Sequence, residues 1–236
     1  MKTLHIANII LCILFCAGCD KDNEAVLPVI KPEATGEMID ARDGFNYHWV
    51  RYNGLDWTVE NAHYQTTEGT YAIYTANQIL SESEDETNSK TLAKYGYLYT
   101  YQGALEAAPD GWRVPTDDDW KKLEKALGMS SRETEETGWR GKYAAELMKQ
   151  GEEGTSLNFL YAGYWIASTS SYASQFHLMG AYGLYWSSTE DTLKSNKYAY
   201  YRKFLYNSPQ VFRYSTDKAN MLSIRFVRDS DSNTNN

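Results

Sequence analysis

Cysteine is almost absent from this 236-residue chain, and the three present, Cys12, Cys16 and Cys19, lie within its first nineteen positions. Beyond them no disulfide, thiolate-ligated metal or thiol nucleophile can form. A basic excess is lacking too. With 23 Lys and Arg against 31 Asp and Glu the formal charge is −8, which makes the chain a poor partner for nucleic acid. None of the four histidines belongs to a His-Glu-x-x-His or similar ligand pair, and no Gly-x-Ser-x-Gly elbow occurs. After the N-terminal segment no apolar run approaches the 18 or so residues of a membrane-spanning helix. Catalytic residues, metal ligands and cofactors therefore have no sequence motif behind them, and none is assigned.

What is present begins with an address. Lys2 precedes the apolar run 9–15, and Ala17 and Gly18 are the small residues a signal peptidase accepts. Leu14-Phe15-Cys16-Ala17-Gly18-Cys19 resembles a bacterial lipobox, with Cys16 standing where such boxes carry Leu. The expectation is a signal peptide over residues 1–18, lipidation of Cys19 and a flexible lipidated tether over 19–38, which holds Pro28 and Pro32. The alternative is an ordinary secreted protein cleaved nearby. Loss of Lys2 takes the charge from −8 to −9. Several acyl chains on one Cys anchor a protein without a spanning helix, each buried CH2 contributing about 0.8 kcal/mol. Asp20-Lys21-Asp22-Asn23-Glu24 resembles the surface-export signal of Bacteroidota lipoproteins and fits a solvated charge cluster equally well. The expected location is the outer membrane, facing the medium, with the membrane as a partner through the lipid.

The remaining chain, 39–229, is long enough for one domain with its own core, followed by a polar disordered tail at 230–236. Two alternating runs, 47–52 and 55–59, flank Asn53-Gly54, the signature of a type I′ hairpin. Residues 81–89 are polar and acidic and predict an exposed loop. A short aromatic strand is expected over 95–101 and a turn at Pro109-Asp110-Gly111. Thr116 opens the strongest helix signal, with Asp119 placed for a capping box, Trp120, Leu123 and Leu127 on one face, and Gly128 as its stop. The three aspartates 117–119 complement the helix dipole and need no metal. A second helix is expected over 142–149. Residues 151–182 are rich in Gly, Ser and aromatics and predict a long irregular region, where function concentrates. Strand-like runs follow at 183–188, 197–206, 211–214 and 222–227.

Five blocks, in order, resemble the Fibrobacter succinogenes major paralogous domain family. They are Trp57-Thr58-Val59-Glu60-Asn61; Tyr95-Gly96-Tyr97-Leu98-Tyr99; Ala108 to Thr116, which contains Gly111, Trp112, Arg113 and Pro115 and continues to Trp120 and Leu123; Tyr185 to Glu190, which contains Trp186; and Ser223 to Arg228. Together they cover about residues 44 to 229. The resemblance implies an exported lipoprotein with an α+β, C-type-lectin-like domain of two helices, a twisted mostly antiparallel sheet and a long irregular loop region. Phe226 stands where the family often has Cys, and the calcium motifs of lectins are missing. Enzymes of the same broad fold that modify sulfatases work through cysteines this domain lacks.

The functional expectation is a non-catalytic binding or adhesion domain for a glycan or a protein. Its ligand would dock on Trp139, Tyr164, Trp165 and Tyr172, since flat rings stack on sugars and dominate protein hot spots. Trp57, Trp112, Trp120 and Trp186 are expected in the core. The alternatives are a structural component of a surface assembly and a carboxylate-based enzyme such as a glycosidase. Arg113 is expected to make an ion pair or carbonyl contacts ahead of the main helix. Asp191-Thr192-Leu193 resembles the short O-glycosylation signal of exported Bacteroidota proteins, with Thr192 as acceptor.

Overall fold

The computed structural model describes residues 27–74, 84–169 and 175–230. Along them run β1 (Thr35–Ile39), β2 (Asn46–Tyr52), β3 (Leu55–Thr58), β4 (Tyr71–Ala72), α1 (Glu84–Tyr95), β5 (Leu98–Tyr99), α2 (Tyr101–Ala107), α3 (Asp117–Ala126), α4 (Ser131–Glu135), β6 (Gly138–Arg140), α5 (Ala144–Met148), β7 (Tyr164–Ile166), β8 (Gln175–His177), β9 (Tyr182–Glu190), β10 (Tyr198–Leu205), β11 (Val211–Asp217) and β12 (Val227–Asp229). The strands form two four-stranded sheets, ordered β1-β2-β3-β12 and β6-β11-β10-β9, and two small pairs, β4-β5 and β7-β8. The strand pairs are antiparallel, so the domain is α+β.

The hairpin forms as its sequence demands. Asn53 (φ 48°) and Gly54 (φ 74°) both occupy the left-handed region of a type I′ turn, and Tyr52 faces Leu55 across it. β12 returns to pair with β3, Val227 opposite Trp57, so the two ends of the domain meet in one sheet. In α3, Thr116 accepts from the Asp119 amide while the Asp119 carboxylate accepts from the Thr116 amide and hydroxyl, the expected capping box. Gly128, at φ 95°, stops the helix. α3 lays Trp120 and Leu123 into a core with Trp57, Phe159, Tyr185 and Phe204. The rings of Trp120 and Trp57 are 4.9 Å apart, and those of Trp120 and Phe159 5.4 Å. Each such buried ring contributes on the order of 2 kcal/mol or more. A second core gathers Tyr47, Tyr99, Trp112, Trp186, Ile224 and Phe226.

Several expectations are corrected. The supposed tether is folded in its later part: Thr35–Ile39 is β1, paired with β2, and Lys31 donates to the carbonyls of Glu152 and Glu153 at 3.2 and 2.7 Å. Alternating exposure gives β1 one packed row, a weak pattern in a five-residue edge strand. The acidic stretch 81–89 is not wholly a loop, because α1 begins at Glu84. Lys94 lies at the negative end of the helix dipole, and Glu86 pairs with Lys90 at 3.1 Å. The strand expected over 95–101 shrinks to Leu98–Tyr99, since Tyr95 ends α1 and Tyr101 starts α2. Thr100 caps α2 by accepting from the Gly103 amide at 3.1 Å. Two helices were expected, and the described residues hold five. The helix expected at 142–149 spans Ala144–Met148, and the irregular region contains the hairpin β7-β8. Of the run 222–227, Leu222 and Ser223 form isolated bridges, 224–226 form none, and a ladder starts only at Val227.

The expected signal peptide, Cys19, the early tether, Tyr172 and residues 231–236 lie outside the described residues. Among those described, no helix is long and apolar enough to cross a membrane.

Candidate functional site

The sheet β6-β11-β10-β9 has two unlike faces, set by strand alternation. One is covered by α3 and carries Arg140, Arg202, Arg213, Val211 and Phe204. Its three guanidinium groups converge on two carboxylates from the helix. Arg202 gives Nε to Glu124 at 2.6 Å and Nη1 to Asp117 at 2.7 Å. Arg213 Nη2 meets Asp117 at 2.6 Å, and Arg140 Nη2 meets both oxygens of Glu124 at 2.7 Å. Lys121 reaches Asp117 from the next helical turn at 3.2 Å. Arg202 and Glu124 are fully buried. Burial alone would raise the Asp117 pKa, but hydrogen bonds from Arg213 and the charge of Arg202 hold it well below the usual carboxylate value. The first aspartate of α3 thus does more than face the dipole: it knots the helix to the sheet.

The opposite face is buried where Leu184, Trp186 and Tyr201 enter the second core and is open only towards β6 and β11. Trp139 of β6 lies opposite Phe212 of β11, Phe212 opposite Lys203 of β10, and Lys203 opposite Leu184 of β9, one row across four strands. Trp139 is 39% exposed and meets Phe212 edge-on at 5.1 Å. The Lys203 ammonium lies 4.0 Å from the Phe212 ring centre, 5.2 Å from Trp139 and 5.8 Å from Tyr182. Among the described residues no carboxylate pairs with it, and burial draws its pKa below the ordinary lysine value.

Beside Lys203 the hairpin β7-β8 overhangs the sheet and closes a cleft of about 220 Å³, whose walls include Tyr164, Tyr182, Tyr201, Leu178 and Lys203. Tyr164 is stacked on His177 at 5.2 Å. Asn220 fastens the rim, donating to Thr216 at 2.8 Å and accepting from the Ala167 amide at 3.0 Å. Leu178 holds φ 58°, a strained conformation for a bulky side chain.

The structure therefore brings two of the expected ligand-binding rings, Trp139 and Tyr164, to one face. Trp165 points away from it by alternation, packed with Phe176, Met221 and Leu98 on the other side of the hairpin. Lys203, Tyr201, Tyr182 and Phe212 were missed. The signal was available, because alternation along 197–206 separates Lys203 from Arg202, but the run alone does not tell which face is covered. Thr192 is exposed on the β9–β10 turn beside Leu193, which is 96% exposed.

A second, larger cleft, about 560 Å³, lies against β1 and β2 and includes Glu37, His48, Trp49, Glu60, Glu152, Ser156 and Asn158 in its walls. Glu60 accepts from the His48 backbone amide and bonds Nδ1, both at 2.8 Å, and Glu37 is 3.7 Å from Nε2. The hydrogen bond to Glu60 raises the His48 pKa. Both partners of this imidazole are carboxylates, Glu60 and Glu37. Among the described residues no group of three His, Cys, Asp or Glu is placed to hold a metal ion.

The five sequence blocks converge in the core. Trp57, Trp120 and Trp186 are fully buried and Trp112 nearly so. Trp120 donates to the Trp186 carbonyl at 3.2 Å, and Trp186 to that of Tyr99 at 2.7 Å. Arg113 pairs with Asp119, the expected structural contact. Arg225 is fully buried and accepted by Asn61 at 2.7 Å and by the carbonyls of Thr58 and Asn158 at 2.9 and 2.8 Å. Residues 50–228 match the model of the Fibrobacter succinogenes major domain. The chain belongs to that family. No curated protein and no solved structure matches it. In this Fibrobacter succinogenes major domain the block residues build the scaffold, while Trp139, Lys203 and Tyr201 lie outside the blocks.

Proposed function

We propose that the chain is an outer-membrane, surface-facing lipoprotein, anchored through Cys19, whose domain binds a glycan or protein ligand without transforming it. The observation that carries this reading is the open ring row of Trp139, Phe212 and Lys203 running into the Tyr164–Tyr201 cleft. Aromatic surface is costly to leave in water, and an exposed platform of rings rimmed by polar groups marks a binding site. The lipid anchor rests on the small-small-Cys ending of the apolar N-terminal run. A C-type-lectin-like fold is supported by the α+β build, the ends meeting in one sheet and the long segment between α5 and β9.

The test has two parts. Intact mass of native protein should show a lipidated Cys19, and Cys19→Ser should release the protein from membranes. A glycan array with parallel pull-down should yield a ligand that Trp139→Ala or Tyr164→Ala loses, while Trp165→Ala, on the far side of the hairpin, keeps it. Retention of the ligand by both of the first two variants would remove this site, and the lack of any ligand would favour a structural component of a surface assembly.

A further inference from the structure

Resting on that reading of the open face, we propose that the site selects acidic sugars, with the Lys203 ammonium receiving the carboxylate of a sugar ring stacked on Trp139. Three observations support this. The first is the lack of a counter-ion. On the covered face of the same sheet, Arg140, Arg202 and Arg213 all have carboxylates at 2.6–2.7 Å, yet Lys203, next to Arg202 in sequence, has rings alone. In a chain with charge −8, a cation kept from every described acid is matched to an anion from elsewhere.

The second is spacing. The ammonium is 5.2 Å from the Trp139 ring centre. The ammonium lies over the indole, so a sugar stacked on the remaining exposed part of that ring sits beside it, with an exocyclic carboxylate in reach of the charge. The third is continuity. Lys203 belongs both to the Trp139–Phe212 row and to the cleft walled by Tyr164, Tyr182 and Tyr201, giving neighbouring sugars a second ring-lined place.

An acidic peptide would need more. Extended peptides gain affinity by adding to a sheet edge. Of the two edge strands, β6 has three residues, too few to set a register, and β9 is already bridged on its outer side by Gly163 and Ser223. Rings dominate the surface, and rings suit the apolar faces of sugars.

The experiment uses full-length protein in detergent, titrated calorimetrically with oligosaccharides of galacturonate, glucuronate and N-acetylneuraminate, with their methyl esters, and with an oligoglutamate. The acidic sugars should bind at least tenfold tighter than their esters, as a charge-assisted bond implies. Lys203→Met should abolish that preference and Lys203→Arg should keep it, with circular dichroism confirming the fold of each. Trp139→Ala should weaken acid and ester alike. Equal binding of acid and ester, unchanged in Lys203→Met, would overturn the role of Lys203 while leaving the binding reading intact. Preference for oligoglutamate would overturn the sugar class. Binding of none of these probes overturns the proposal, and if the glycan array and pull-down are also empty the underlying reading falls with it.

Discussion

Arg202 and Lys203 are neighbours in β10, yet they live in opposite chemistries. Arg202 is fully buried, bonded to Asp117 and Glu124, and sits 5.7 Å above the Trp120 ring. Lys203 is partly buried among rings with no described acid beside it. One residue of strand alternation separates a cation that holds the protein together from one the fold leaves uncompensated. Partnered charges on the covered face stabilise relative to the same charges left alone. The unpartnered charge on the open face is a cost, and such costs are kept where they serve binding.

The largest effect should come from breaking the covered face. Arg202→Met leaves Asp117 and Glu124 short of a partner in the interior and should cost about 3–5 kcal/mol, read as a lower urea midpoint. Asp117→Asn should behave similarly at neutral pH. The acid response sharpens the same point. The folded pKa of Asp117 is depressed, so its contribution is fully present above the unfolded value near 4 and is lost as pH falls from there through the folded value. Urea midpoints of wild type and Asp117→Asn should therefore converge on acidification, and a constant gap would show that the carboxylate is not what the arginines hold.

On the open face the expected effects are smaller and differ in sign. Lys203→Met removes a desolvated charge that has ring contacts but no described acid partner, and should leave stability unchanged or raise it by about 0.5–1 kcal/mol in the same assay. Trp139→Ala, at a 39% exposed edge, should move the midpoint least, by about 1 kcal/mol or less, while removing ligand binding. A large loss of stability in either variant would make that face structural after all.

Much of the scaffold was readable because its signals are local. Asn53-Gly54 fixes its own turn, and Thr116 with Asp119 closes its own cap. The buried tryptophans followed from the family blocks. α1 and α2 were missed because their sequences are polar or interrupted: α1 is held by dipole and charge pairs rather than an apolar stripe, and α2 carries Gly103, which only its approach to the Thr70 carbonyl explains. β1 depends on its pairing with β2, which the sequence of a lone edge strand does not announce. At the site, composition pointed to Trp139 and Tyr164, but Lys203 gains meaning only once Asp117 and Glu124 are seen to serve the other face. Trp165 was separated from Tyr164 by the two-residue period of β7, which short strands in Gly-rich sequence hide.

The most direct test measures stability and ligand preference on the same sample of Lys203→Met. The two-faced sheet predicts an unchanged or higher urea midpoint together with loss of the preference for acidic sugars over their methyl esters. A lowered midpoint like that of Arg202→Met, with the preference intact, would contradict it.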